Sequence, residues 1–82
     1  MNYCVYMLEC ADGTLYIGST NNLARRVCAH NAWKSGAHYT KIRRPVILKY
    51  VEMYKTKRKA LQREYALKQL TKKEKLMLIT SG

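Results

Sequence analysis

An arginine and a histidine one helical turn apart, one glutamate set among cations, and tyrosines within apolar runs are the side chains in this sequence with chemistry to offer. Arg26 and His30 stand four residues apart near Leu23 and Val27, so a helix over this stretch gathers all four on one side. Most arginines in a chain with 16 Lys and Arg are surface cations, but a position on the same face as Leu23 and Val27 sets Arg26 apart. Glu64 is the only acid between Glu52 and Glu74 and stands among Lys57, Arg58, Lys59, Arg63 and Lys68. Its plain reading is a salt bridge that offsets repulsion along a helix. Its chemical reading is a metal ligand. Magnesium is commonly held by one or two carboxylates while waters and substrate oxygens fill the shell, so a single glutamate suffices once substrate is present.

Together these groups meet the needs of phosphodiester hydrolysis, which requires charge stabilisation at the phosphorus, a base for the attacking water and help for the leaving oxygen. The guanidinium fork of Arg26 matches phosphate oxygens. A tyrosine can take the proton from water if cations lower its pKa from about 10, and only the motif context described below lifts Tyr16, or alternatively Tyr6, above the others for that role. His30, titrating near neutrality, can serve as base, as donor to phosphate, or as the partner that orients Tyr16. The chain has 7 tyrosines, and most tyrosines in strands are packing.

The balance of 16 cations against 5 acids, a formal net charge of +11 in 82 residues, calls for a polyanionic partner. Nucleic acid leads, DNA ahead of RNA. A membrane surface ranks far below it, because the basic residues are spread along the chain and not gathered on one amphipathic anchor. The opening Met1 to Leu8 lacks a basic leader and Glu9 cuts its apolar run short, which predicts a cytoplasmic protein. Cys4, Cys10 and Cys28 are an odd number without paired spacing and are expected as reduced thiols. Cys28 and His30 alone lack the second ligand pair of a zinc site.

Positioning these groups requires a small set of elements. Tyr3 to Glu9 and Leu15 to Thr20 predict two strands, with Ala11-Asp12-Gly13 as the turn. A three-residue loop with Gly13 in the left-handed region puts Tyr6 and Tyr16 on one face, whereas a four-residue loop puts them on opposite faces. Asn21 or Asn22 caps a helix to about His30. Asn31 to Arg44, with Gly36 and several cations before Pro45, predicts an exposed loop whose Lys34, Lys41, Arg43 and Arg44 can follow a phosphate backbone or remain a solvated face. Val46 to Tyr54 predicts a third strand. Thr56 caps a helix to about Leu70, and Thr71 with Glu74 forms a capping box for a last short helix. The expected fold is α+β, a three-stranded antiparallel sheet flanked by helices in the order ββαβαα, as a single domain over residues 1–82.

Cys4-Val5-Tyr6, then Tyr16-Ile17-Gly18 with Ser19-Thr20-Asn21, Arg26, His30 and the distant Glu64, resembles the GIY-YIG nuclease family over nearly the whole chain. It is most similar to the small stand-alone bacterial proteins of that family. Cys4-Val5 stands where the family has Gly-Ile, with Val keeping the branched character and Tyr6 in place. The resemblance implies that Tyr6 and Tyr16 line the site, that Arg26 and His30 project into it, and that Glu64 binds the divalent metal, Mg2+ or Mn2+. Gly18 takes a geometric role, allowing backbone or substrate to approach closely, or simply ending the strand.

The expectation is therefore a metal-dependent endonuclease that nicks DNA or cuts a particular DNA structure, in repair or recombination. Specificity is left to the core or to a protein partner. The rival is a non-catalytic nucleic-acid-binding module with the same fold. A third reading is a scaffold docking through exposed apolar residues such as Trp33.

Overall fold

The computed structural model describes residues 2–31 and 45–81, the side chains of 29–31 excepted. The elements run β1 (Tyr3–Cys10), β2 (Leu15–Thr20), α1 (Leu23–Asn31), β3 (Val46–Tyr54), α2 (Lys57–Lys68) and α3 (Lys72–Ser81), the expected ββαβαα order. The three strands form one antiparallel sheet in the order β2-β1-β3. The central strand is the most apolar because it is covered on both faces, which is why it reads as a nearly unbroken run instead of an alternation.

Cys4, Tyr6, Leu8 and Cys10 face one way, with Val46, and pack against Tyr16 and Val51 of the sheet and Leu23 and Val27 of α1. Val5 and Met7 face the other way with Ile17 and pack against Ala60 and Leu67 of α2, with Leu78 and Ile79 of α3 alongside. The sheet thus lies between α1 on its first face and α2 with α3 on its second. Cys4 and Cys10 are buried free thiols in the first layer and Cys28 is an exposed one. Burial pushes the Cys4 thiol pKa up.

The hairpin takes the three-residue loop. Gly13 N–H donates to the Cys10 carbonyl at 2.9 Å, Cys10 N–H donates to the Thr14 carbonyl at 2.8 Å, and Gly13 has φ +84°. Leu8 consequently faces Tyr16 and Tyr6 faces Gly18, so the two tyrosines share the first face.

The helix starts follow from local chemistry. The Asn22 side chain accepts the Arg25 N–H at 3.2 Å, and Thr56 accepts the Lys59 N–H at 3.2 Å. Thr71 and Glu74 form the reciprocal box, at 2.9 and 3.2 Å. α2 stops at Lys68, short of the expected Leu70, because Gln69 closes the helix and Leu70 turns inward to pack on the second core layer.

β3 holds one surprise. Met7 pairs with Tyr50 but Leu8 pairs with Leu48, leaving Lys49 as an extra residue bulged out of the ladder. The bulge reverses the alternation of β3. Val46 belongs to the first face, whereas Tyr50 and Tyr54 belong to the second. The stretch expected as a loop falls, from residue 32 to residue 44, outside the described residues.

Candidate functional site

The site is built around the outer edge of β2. Tyr6 on β1 stands directly opposite Gly18, and its ring lies across the glycine: a Cβ at position 18 would meet the ring Cζ at 2.7 Å. The close approach that Gly18 permits is thus made by the chain's own tyrosine. An aromatic ring folded over a strand glycine restores the packing that the missing side chain would leave open.

Helix α1 delivers the next group. Capped by Asn22 and seated by Leu23 and Val27, it turns Arg26 toward the first face, where the guanidinium hydrogen-bonds with the Tyr6 phenol. Tyr16 is half-buried on the same face, packed against the cluster that contains Tyr6. His30 lies within α1, but its side chain is outside the described residues.

Glu64 arrives from the other side of the sheet. α2 packs on the second face, and the Ser19 hydroxyl of β2 donates to Glu64 Oε1 at 2.6 Å. Lys68, one turn on, places Nζ 2.9 Å from Glu64 Oε2. The i, i+4 salt bridge that the sequence allows is therefore present, and each carboxylate oxygen has a partner. Glu64 is close enough to act electrostatically on Tyr6, as are Tyr16 and Arg26. Tyr6, Tyr16, Arg26 and Glu64 are one electrostatic cluster despite arriving from two strands and two helices.

Burial dominates the state of Tyr6. It pushes the phenol up to about 12, the Arg26 hydrogen bond and charge oppose that rise, and the negative charges of a Tyr16 phenolate and Glu64 add to it.

A metal ion fits the donor set under defined conditions. Among the described residues no group of three His, Cys, Asp or Glu gathers. What the edge of β2 offers is a mostly buried carboxylate with a hydroxyl beside it, both hard oxygen donors, and a cation already drawn to it in the form of Lys68. That suits magnesium or manganese, which keep waters and take further oxygens from substrate.

Of the residues expected at the site, Tyr6, Tyr16, Gly18, Arg26 and Glu64 come together. Lys34, Lys41, Arg43 and Arg44 lie outside the described residues. Two residues were not anticipated in the site. Ser19 had a signal in its strand parity, which puts it with Ile17 on the face that α2 covers, and Lys68 had one in its spacing from Glu64.

Residues 2–77 match the model of the GIY-YIG catalytic domain. The chain belongs to the GIY-YIG family. Curated relatives cover nearly all of it. A UPF0213 protein of Clostridium perfringens is 53% identical over 81 residues, 99% of this chain and 85% of that one. A UPF0213 protein of Bacillus cereus is 49% identical over 80 residues, 98% of this chain and 82% of that one. The solution NMR structure of a UPF0213 protein from Bacillus halodurans aligns with a TM-score of 0.62 at 39% identity, covering 98% of this chain and 84% of that one. The GIY-YIG domain is that of an endonuclease superfamily, and nucleic acid is its general substrate class. Among the described residues no helix is long and apolar enough to cross a membrane.

Proposed function

We propose that this GIY-YIG protein is a divalent-metal-dependent endonuclease that hydrolyses a phosphodiester of DNA, one strand per binding event, as a nick or a structure-specific cut serving repair or recombination in the cytoplasm. The observation that carries the reading is the convergence at the β2 edge. There the Arg26–Tyr6 contact and the Ser19–Glu64 contact bring a phosphate-binding cation and a lone carboxylate to either side of one strand glycine.

In this reading Arg26 binds the non-bridging phosphate oxygens and carries the charge that develops on them. Tyr16, or alternatively Tyr6, takes the proton from water once it has given up its own phenolic proton to solvent. Phosphate and Arg26 gathered at the site orient the water against the phenol. Glu64, with Ser19 holding one of its oxygens, would hold Mg2+ or Mn2+, which supplies Lewis acidity at the phosphate and stabilises the leaving oxygen. His30 is proposed to assist as donor or base from the last turn of α1. Lys34, Lys41, Arg43 and Arg44 are proposed to follow the DNA backbone, and a protein partner to add selectivity.

One observation favours a second reading, a non-catalytic DNA-binding module: in the protein alone both Glu64 oxygens are engaged, one by Ser19 and one by Lys68. Nicking of labelled flap, fork and duplex DNA at low salt with magnesium or manganese separates the two. Cleavage by the wild type, together with binding but no cleavage by Glu64→Ala, is the expected outcome. Equal binding with no cleavage by either protein transfers the chain to the second reading.

A further inference from the structure

Lys57, Leu61, Glu64 and Lys68 succeed one another on α2 at intervals of four, three and four residues, which lines them along one stripe of the helix. Glu64 in that stripe meets Ser19, so the stripe runs beside the β2 edge where the candidate site lies. Toward the start of α2 the same edge opens into a cavity of about 230 Å³ lined by Tyr3, Ser19, Thr20, Asn21 and Lys57. None of these side chains is a carboxylate and Lys57 brings an ammonium suited to an anion, while the Ser19 and Thr20 hydroxyls are already donated to Glu64 and to the Asn22 carbonyl. Lys57 also borders a second, shallower groove, shared with Arg58, Leu61 and Tyr65 on the outer surface of α2.

Tyr65 is 71% exposed and Leu61 46% exposed, although the same helix buries Ala60 and Leu67 fully. An aromatic ring left open between cations contributes nothing to the core, and it has the form of a stacking platform. The charge around it has one sign. α2 carries Lys57, Arg58, Lys59, Arg63 and Lys68 against Glu64 alone; Arg63 is paired with Glu52 and Lys68 with Glu64, which leaves Lys57, Arg58 and Lys59 at the start of the helix. Lys57 borders both the cavity beside the site and the groove that holds the Tyr65 ring, so a cation and an open aromatic ring lie along one continuous path.

We propose that this path holds a single-stranded segment of the nucleic acid beside the cleaved bond, with one phosphate in the Lys57 cavity and an unpaired base stacked on Tyr65. The inference deepens the nuclease reading by naming its substrate class, DNA with a single-stranded branch. Lys57 and Tyr65 are about 12 Å apart along the helix axis at 1.5 Å per residue, a span of a few nucleotides. The Lys59 N–H at the start of α2 is already taken by the Thr56 hydroxyl. A duplex keeps its base faces covered and has nothing to offer the ring, which is why the path selects an unpaired strand.

The test is binding of the full chain, without metal, to a labelled duplex bearing a single-stranded flap and to the same duplex without it. Tyr65→Ala is expected to weaken flap binding roughly five- to a hundredfold while leaving the blunt duplex unchanged, and Tyr65→Trp to preserve flap binding. Lys57→Gln is expected to weaken flap binding and lower its salt-dependence slope by about one. Equal weakening of both DNAs by Tyr65→Ala, or no change in either, overturns the proposal. No metal is present and no cleavage is read, so a failure here stays distinct from a failure of Glu64 to support nicking.

Discussion

Glu52 on β3 and Glu64 on α2 are almost equally exposed, at 17% and 19% of the side chain, yet the fold treats them in opposite ways. Glu52 accepts from the Tyr50 and Tyr54 hydroxyls and from Arg63 Nε and Nη2, the last three at 2.6, 2.8 and 3.1 Å. The Arg63 hydrogen bonds, assisted by both tyrosines, outweigh burial and hold its carboxyl down to about 2. Its lone pairs are spent, and it ties α2 to β3. Glu64 has only a neutral hydroxyl and a half-exposed lysine, both of which can be exchanged. Burial does not distinguish a structural carboxylate from a candidate ligand in this protein. The number and permanence of the donors do.

The largest effect expected of this contrast is on cleavage. Glu64→Gln should lower nicking by at least about a hundredfold, the scale of losing one charge-stabilising group, with the thermal midpoint nearly unchanged. Strong nicking by that variant would remove Glu64 from the chemistry and erase the contrast. Glu52→Ala should do the reverse, costing about 2 kcal/mol of stability and lowering the midpoint by roughly 10 °C, because Arg63 and two tyrosines are left without their acceptor. Calorimetry of the two variants side by side checks both directions.

A sharper version uses acid. Glu52 is depressed in the folded state from 4.5 to about 2, so the stability it contributes is present above pH 4.5 and is lost as the pH falls toward 2. Denaturant titrations across that window should find a loss on the order of 2 kcal/mol in the wild type and a much flatter profile in Glu52→Gln. The smallest effect is expected at Lys68. Removing an exposed i, i+4 partner is worth only a few tenths of a kcal/mol, so Lys68→Met should tighten Mn2+ binding to the DNA-free protein by about two- to threefold. Titration followed by Mn2+ electron spin resonance reads this directly, and weaker binding by the variant would make Lys68 a helper of the cation instead of its competitor.

Much of this molecule was legible in order of residues alone. The turn at Gly13, the shared face of Tyr6 and Tyr16 under a three-residue loop, the caps at Asn22, Thr56 and Thr71, and the turn-spaced pair Glu64 and Lys68 all depend on neighbours within a few positions. Periodicity and capping chemistry act over that range, so the sequence by itself narrows them to a choice between neighbours, and the structure selects the three-residue loop and Asn22. The candidate site was legible as a set of residues but not as a geometry. Nothing local joins Ser19 to Glu64 across 45 positions, lays the Tyr6 ring over Gly18, or draws Arg26 to a phenol on another element.

Strand β3 marks the boundary most clearly. Its alternation assigns Val46, Leu48, Tyr50, Glu52 and Tyr54 to one face, and the bulge at Lys49 divides them between two. That single extra residue puts Glu52 on the face that α2 covers, where Arg63 meets it. A bulge is set by how a strand must bend to satisfy its partner and both packed layers at once. Only the assembled tertiary structure makes that decision, because the competing registers differ by contacts that no stretch of chain holds within itself.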